Sequence, residues 1–329
     1  MDQHMSIRIL KPGMFSSVQD RGRFGFQRYG VSISGSMDQY AASVANLLTG
    51  NSRDEAVLEI TLHGMQAEFL EDCLVAFCGG GSIPFISGRP LVCNKAIWIP
   101  KHSVIEFRYN QTGCRLYMAV AGGWNAAKVM NSRSSFPAAG AGKILETGDV
   151  LYGGLPSRRA VKIVALMDTS TLSMASWGYG ETDIAAGGNM IRVLQGPEWD
   201  FFTETSHDHW LHCFYTLTNA SNRMGYRLAG EVLQLREHKE MISTAVTMGT
   251  VQVTPDGNPL ILMADAQTTG GYPRIAQVIE VDFSICAQKK PGDQIRFTVI
   301  TPTQAEDLFF EREEQLTRLE KTIQSKMGI

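Results

Sequence analysis

The chain has 329 residues, 44% of them hydrophobic and 19% charged, enough to bury a substantial core and long enough for about two domains. Lys and Arg number 30 against 33 Asp and Glu, a formal net charge of -3 with no basic run, which argues against non-specific binding to nucleic acid or anionic membranes. No apolar run approaches the roughly 20 residues of a membrane span, and Met1 to Leu10 lack a signal peptide's apolar centre, so a soluble cytoplasmic protein is expected.

The six cysteines, Cys73, Cys78, Cys93, Cys114, Cys213 and Cys286, lie mostly in apolar segments without a Cys-x-x-Cys pair. They read as reduced, buried small hydrophobes. Glycine is abundant, at 32 residues, and the apolar segments are short, a punctuation that predicts a mainly β chain.

In chain order, Ser6 to Leu10 reads as a strand closed by Lys11-Pro12-Gly13. The stretch Ser16 to Tyr40 then packs acid, amide, guanidinium and hydroxyl groups between glycines, a density that usually faces a ligand or a partner. Ser36 and Gln39 have the spacing of a capping box. They predict a helix whose face carries Tyr40, Val44 and Leu47/Leu48, stopped by Gly50-Asn51.

Strands are predicted over 56–62, 66–70, 74–78, 83–86, 91–98, 104–108 and 116–120. With no room for crossover helices, they pair antiparallel in a barrel or sandwich. Gly79-Gly80-Gly81 precedes a strand and reads as a turn. Gly140-Ala-Gly142-Lys143-Ile144 departs from a P-loop, with Pro137 in place of a glycine and Ile144 in place of Ser/Thr.

A domain boundary is expected at 156/157, followed after Ser157-Arg158-Arg159 by a strand and an irregular insertion over 168–189. The second domain then carries strands at 191–194, 214–217, 249–253, 260–264 and 295–299, and a helix over 201–211. A closing helix spans 303–325, with Glu314 and Arg318 as an i, i+4 pair. Arg23-Phe24-Gly25-Phe26 and Arg223-Met224-Gly225-Tyr226 share Arg-x-Gly-aromatic and hint at two domains of one plan.

His207, His209 and His212 match no established zinc spacing, and no metal is expected. No Gly-x-Ser-x-Gly elbow recommends a nucleophilic serine. Two further segments stand out. Asp265-Ala-Gln267-Thr268-Thr269-Gly270-Gly271-Tyr272-Pro273 sets acid, amide, hydroxyls and phenol about a glycine pair, a turn suited to a carboxylate, phosphate or ureido oxygen. Asn131-Ser132-Arg133-Ser134-Ser135 offers an Arg able to fork onto a carboxylate or carbonyl. Each segment alone reads equally well as satisfied turn residues; the recurrence favours a functional cleft.

Ser17-Val-Gln-Asp-Arg-Gly-Arg-Phe-Gly25, Gly30-Val-Ser-Ile-Ser-Gly-Ser-Met-Asp38, Leu58-Glu-Ile-Thr-Leu62, Asn131 to Ser135, Ser221-Asn-Arg-Met-Gly-Tyr-Arg-Leu228 and Asp265 to Pro273 together resemble the signature segments of the allophanate hydrolase subunit 2 family. This is also the carboxyltransferase A/B-subdomain, or KipI antagonist, family. The resemblance runs from about Ile7 to Phe297. Departures are confined to the turns Val253-Thr-Pro-Asp-Gly-Asn-Pro259 and Gly122-Gly-Trp124.

The resemblance implies two cyclophilin-like antiparallel β-barrel domains, 1–156 and 157–329, with a few short helices and a C-terminal helix. It implies a hetero-oligomeric hydrolase, most like the 5-oxoprolinase branch, which opens 5-oxoproline to glutamate with ATP and Mg at the level of the complex. The partners would be a KipI-like B component, of the allophanate hydrolase subunit 1 family, and a LamB/YcsF-type A component. The alternatives are a carboxyltransferase component of a biotin-dependent urea carboxylase and a regulatory antagonist of a KipI-type kinase inhibitor. With no Ala/Val-Met-Lys-Met segment, covalent biotin is not expected on this chain.

On this reading Asp20, Asp38, Asp265 and Arg223 are the catalytic candidates. Gln19, Arg23, Ser132, Arg133, Asn222, Tyr226, Gln267, Thr268, Thr269 and Tyr272 are the candidates for substrate binding, with Thr268 to Tyr272 supplying oxyanion-type donors.

Overall fold

The strand Cys73–Gly79 is apolar at nearly every position because both of its faces are buried. Cys73, Val75 and Phe77 enter one core with Ile7, Ile9, Leu58, Phe69 and Ile105. Leu74, Ala76 and Cys78 enter another with Tyr40, Val44, Leu47 and Leu48 of helix α1 (Gln39–Leu48). The strand Arg115–Val120 divides its side chains in the same way, Leu116, Met118 and Val120 against Tyr117 and Ala119. The period of two sorts side chains between two hydrophobic layers.

The computed structural model of the protein describes residues 5–180, 188–237 and 241–327. The chain divides into two units, the first formed by Met1–Gly22, Asp38–Ala186 and Glu314–Ile329, the second by Arg23–Met37 and Gly187–Glu313. The division differs from the expected 156/157 boundary. Residues 23–37 belong to the second unit because their polar groups and Met37 are satisfied there. Residues 157–180 and the end of the C-terminal helix belong to the first, where Ala160, Ile163, Leu316, Leu319 and Ile323 join the core under α1.

The first unit builds two six-stranded sheets. One runs in the order Val150–Tyr152, Ser6–Pro12, Met65–Phe69, Val104–Tyr109, Ser82–Ile86, Arg89–Pro90; the other in the order Ser173–Met174, Ala96–Ile99, Cys73–Gly79, Arg115–Val120, Val57–Thr61, Phe15–Gln19. All their pairings are antiparallel, with Ser17 opposite Glu59 and Tyr117 also opposite Glu59. The N-cap of α1 is Asp38, whose carboxylate accepts from Ala41 N at 3.0 Å, two residues beyond the expected Ser36. The strand expected after Arg159 is instead helix α2 (Arg158–Val164), capped by the Ser157 hydroxyl.

The second unit is a closed seven-stranded barrel: Met190–Gln195, Arg274–Val278, Thr250–Val253, Pro259–Leu262, Gly225–Ala229, Tyr215–Leu217 and Gln294–Val299. Closure is through a parallel pair, Met190 opposite Arg296 and Val193 opposite Val299, while the other pairings are antiparallel. Trp210 of helix α3 (Glu204–His212) stacks on Phe297 at 3.8 Å between ring centres and plugs the core. Helix α4 (Phe283–Ala287) follows, and helix α5 (Pro302–Lys326) matches the expected closing helix. A short ribbon, Thr244–Ala245 with Thr269–Gly270, stands apart from the barrel ladder. Among the described residues no helix is long and apolar enough to cross a membrane.

Candidate functional site

In the first unit, Asp20 is a buckle. Its Oδ1 accepts from Ser132 Oγ at 2.7 Å, Ser134 Oγ at 2.6 Å and Gly22 N at 2.8 Å, while Oδ2 accepts from Arg133 N at 2.5 Å. The loop it holds begins with Met130 and Asn131 at φ values of 52° and 63°, left-handed positions that cost energy without a glycine and need such an anchor. Arg133 turns its guanidinium to the Ala126 carbonyl. Beside the loop, fully buried Gln19 donates through Nε2 to Ser17 Oγ at 2.9 Å and to the Ser135 carbonyl at 3.0 Å.

Asp38 and its neighbours form a second polar group in this unit. The Asp38 N–H donates to the Tyr117 hydroxyl at 2.8 Å, the hydroxyl donates to Glu59 Oε2 at 2.9 Å, and Arg115 Nε lies 3.7 Å from Glu59 Oε1. All four residues are buried. Burial, followed by the charges of Glu59 and Asp38, pushes the Tyr117 phenol well above its ordinary value. Sequence reading takes Glu59 only as part of a signature segment and passes over Tyr117 and Arg115; the available signal is an acid and an aromatic hydroxyl within otherwise apolar strands.

In the second unit, Arg223 and Asp265 make a buried two-pronged pair, Nε to Oδ2 at 2.8 Å and Nη2 to Oδ1 at 3.1 Å. Nη2 also donates to the Gly35 carbonyl at 2.6 Å, and Ser34 Oγ donates to Asp265 Oδ1 at 2.6 Å. Ser34 sits at φ 60° with its N–H on the Ala264 carbonyl, and Ser32 Oγ donates to the Ala266 carbonyl at 2.7 Å. The 30–37 stretch is thus laced to 264–266, with Arg23, 2% exposed, anchoring its start through N–H to Ile33 O.

The turn after Asp265 is more open. Gln267, Thr269 and Tyr272 are exposed and Thr268 half-buried. Thr269–Gly270 pairs with the Thr244–Ala245 strand, so part of the backbone expected to point outward is engaged in a ladder. Beneath it lies Gln252, fully buried, donating through Nε2 to the Tyr272 carbonyl at 3.2 Å. A Cβ on Gly270 would fall 2.5 Å from Gln252 Nε2 and 3.0 Å from Oε1, so glycine is what lets the turn rest on this amide. Gln252, too, escapes sequence reading, its signal being a single polar residue in Thr250-Val-Gln-Val253.

The family description "Carboxyltransferase domain, subdomain A and B" matches residues 29–299. The chain belongs to this carboxyltransferase family. Within it, the chain is 36% identical over 295 residues to the C subunit of 5-oxoprolinase from Escherichia coli (strain K12), covering 88% of this chain and 90% of that one. The carboxyltransferase fold is likewise shared with the crystal structure of TTHA0988, at a TM-score of 0.78 and 27% identity over 91% of this chain. It is shared with Kluyveromyces lactis urea amidolyase at a TM-score of 0.83 and 26% identity over 97% of this chain. The chain spans 56% of TTHA0988 and 20% of that amidolyase.

Against this family background the candidates fall into two groups. The catalytic candidates Asp20, Asp38 and Asp265 use their oxygens to hold a loop, a helix cap and an ion pair. The catalytic candidate Arg223 is engaged by Asp265, while Tyr226, a candidate for substrate binding, is 2% exposed and lies in the barrel core. Ser132 and Arg133 belong to the Asp20 buckle, and Asn222 folds its own turn by accepting from Met224 N at 2.8 Å. Gln267, Thr268, Thr269 and Tyr272 remain presented at a surface turn. The Arg-x-Gly-aromatic echo does not mark one copy per unit, because Arg23 and Arg223 both lie in the second.

The turns at Gly140 to Lys143 and at Gly81 are not built as phosphate cradles. Lys143 is paired with Asp149 at 2.5 Å, Gly140 closes a three-residue 3-10 turn, and a Cβ on Gly81 would fall 2.5 Å from the Cys114 backbone. His207 stacks on Trp199 at 4.2 Å and His212 pairs with Asp208 at 3.0 Å. Among the described residues no group of three or more His, Cys, Asp or Glu is placed to hold a metal.

Proposed function

We propose that this protein is the C component of an ATP-dependent 5-oxoprolinase, a cytoplasmic hetero-oligomer that opens 5-oxo-L-proline to L-glutamate. The observation that carries this reading is the match to the C subunit of E. coli 5-oxoprolinase, which covers about nine-tenths of both chains. A KipI-like B component and a LamB/YcsF-type A component would complete the enzyme, and ATP with Mg belongs to the complex. This chain's contribution is the exposed turn Gln267 to Tyr272, seated on a buried amide and held by the Arg223–Asp265 pair. A preorganised turn binds a small polar substrate without having to order on contact.

The test is reconstitution. The three components mixed with ATP and 5-oxoproline are expected to form glutamate, and omission of this chain to stop it. Glutamate formation that is indifferent to this chain would sink the reading.

The similarity to urea amidolyase supports a second reading, a carboxyltransferase component served by a separate biotin carrier. Transfer of carboxylate from carboxybiotin to urea by the purified chain with its partner would establish that reading instead. A regulatory role, sequestering a KipI-type kinase inhibitor, uses the same class of partner and is distinguished by a pull-down with no lactam opening.

A further inference from the structure

We propose that the ribbon tip formed by Ile242 and Tyr272 is a surface through which this chain docks on its KipI-like B component; the inference rests on the 5-oxoprolinase reading and gives that hetero-oligomer a contact on this chain. The ribbon Thr244–Ala245 with Thr269–Gly270 lies outside the barrel ladder. Its two segments stay together beyond the paired residues, since a Cβ on Gly271 would fall 3.3 Å from Ser243 Oγ and 3.6 Å from the Met241 carbonyl oxygen. Carried two residues further, the register of Thr244 opposite Gly270 sets Ile242 opposite Tyr272. Ile242 is 86% exposed, more than any other large hydrophobic residue among the described ones, and Tyr272 is 43% exposed.

A lone exposed isoleucine is ordinary. What distinguishes this ribbon is its lack of charge. Residues 241–249 and 266–273 contain no Asp, Glu, Lys, Arg or His, although the chain is 19% charged, and charged residues stand directly outside them at Glu240, Asp265 and Arg274. Burial does not account for this, because Ser243, Thr244, Ala245, Gln267 and Thr269 are exposed as well. Strands left open to water ordinarily carry Lys or other charges that bar other chains from their edges. Depletion of charge around an aromatic and an aliphatic anchor is instead the composition of the centre of a protein interface.

The base of the ribbon is fixed while its tip stands clear. Val246 packs with Leu262 and Ala266 in a small core of their own, its N–H donates to the Thr268 carbonyl at 3.0 Å, and Arg274 Nη1 reaches the Ala245 carbonyl at 3.4 Å. A tip held in this way meets a partner without having to order on contact. The occupant that fits is an uncharged, apolar cleft on another protein, since nucleic acid and anionic membranes find no cation on the ribbon. Two identical projecting tips offer each other no such cleft in a two-fold contact. The B component is common to the 5-oxoprolinase and regulatory readings, and in TTHA0988 the same fold shares one polypeptide with a further length of chain, of which it spans 56%. On this assignment the tip serves the partner, and Gln267 to Thr269, nearer the base, serve the substrate.

The test is titration calorimetry of this chain with the purified B component. Ile242→Asp charges the tip at a position too exposed for the fold to depend on it, and is expected to weaken binding about 30-fold or more. Phe310→Asp, on the 67% exposed Phe310 of α5, should change it less than about threefold. In the reconstituted complex Ile242→Asp should lower glutamate formation at limiting B, and excess B should restore the wild-type kcat, a rescue that loss of a catalytic group does not show. Binding unchanged in Ile242→Asp, equal weakening by both variants, or no binding of B by a chain whose complex still forms glutamate overturns the inference and leaves the 5-oxoprolinase reading standing. So does a wild-type dimer that Ile242→Asp dissolves, which makes the occupant a second copy. Binding of B that Ile242→Asp abolishes, with no glutamate formed by the wild-type complex, sinks that reading and keeps this contact; absence of both binding and glutamate sinks the two together.

Discussion

Arg223 grips Asp265 through two parallel hydrogen bonds, 2.8 and 3.1 Å long, with both side chains buried. The same carboxylate receives Ser34 and the same guanidinium reaches the Gly35 carbonyl, so two adjoining residues from a distant part of the sequence hydrogen-bond to both members of the pair. Removing one partner strands the other's charge. Asp265→Asn or Arg223→Met is expected to lower unfolding free energy by about 3–5 kcal/mol, whereas the two together should cost less than the sum. Chemical denaturation of the two single variants and the double variant measures this.

Asp20 fastens the 130–135 loop by accepting from three of its groups, Ser132 Oγ, Ser134 Oγ and Arg133 N. In Asp20→Asn an N–H₂ group replaces one acceptor oxygen and faces donors. We expect a loss of about 2–3 kcal/mol, concentrated in the loop. Hydrogen exchange at the Arg133 amide should accelerate far more than exchange in the strands 73–79 and 115–120. Uniform acceleration would show that the loop is not a separate unit of stability.

Tyr117 joins the Asp38 N–H to Glu59 within the first unit. Its folded pKa lies well above the ordinary phenol value, chiefly through burial. The unfolded chain therefore sheds the phenolic proton first. The contribution to stability is complete below about pH 10 and is lost as the pH rises from there through the folded value. Tyr117→Phe should cost about 1–3 kcal/mol at neutral pH by leaving Glu59 short of a donor. It should also flatten the alkaline fall in stability, which urea titrations at a series of pH values will show.

Burial raises the thiol pKa of Cys73, Cys78 and Cys286, and all six cysteines are free of disulfides. Native protein at neutral pH is expected to react with a thiol reagent first at the half-buried Cys93 and Cys213, the others waiting on unfolding. Mass mapping of early adducts on Cys73 or Cys78 would contradict the packing described.

The short strands separated by glycine, the helix after Gly35 and the closing helix were legible because period and punctuation are local properties of the chain. The family was legible for a related reason, since its signature segments are contiguous runs such as Ser221 to Leu228. The strand read after Arg159 failed because Val161-Lys-Ile-Val164 is apolar enough for either state, and burial of Ala160 and Ile163 on one side decides for a helix.

Roles of polar residues lay beyond local reading. Asp20, Asp38 and Asp265 look alike in a sequence, as free acids between glycines. Only the fold brings Ser132 to Asp20 and Arg223 to Asp265, while Asp38 caps the helix that it opens, and a carboxylate's chemistry is set by who occupies its oxygens. Gln252 shows the converse. As a lone amide between valines it carries no signature, and its place under the Gly270 turn is visible only once the barrel buries it. Chain-local spacing decides which elements form and which family the chain belongs to; tertiary packing decides, by fixing desolvation and partners, what each polar group meets in the folded protein.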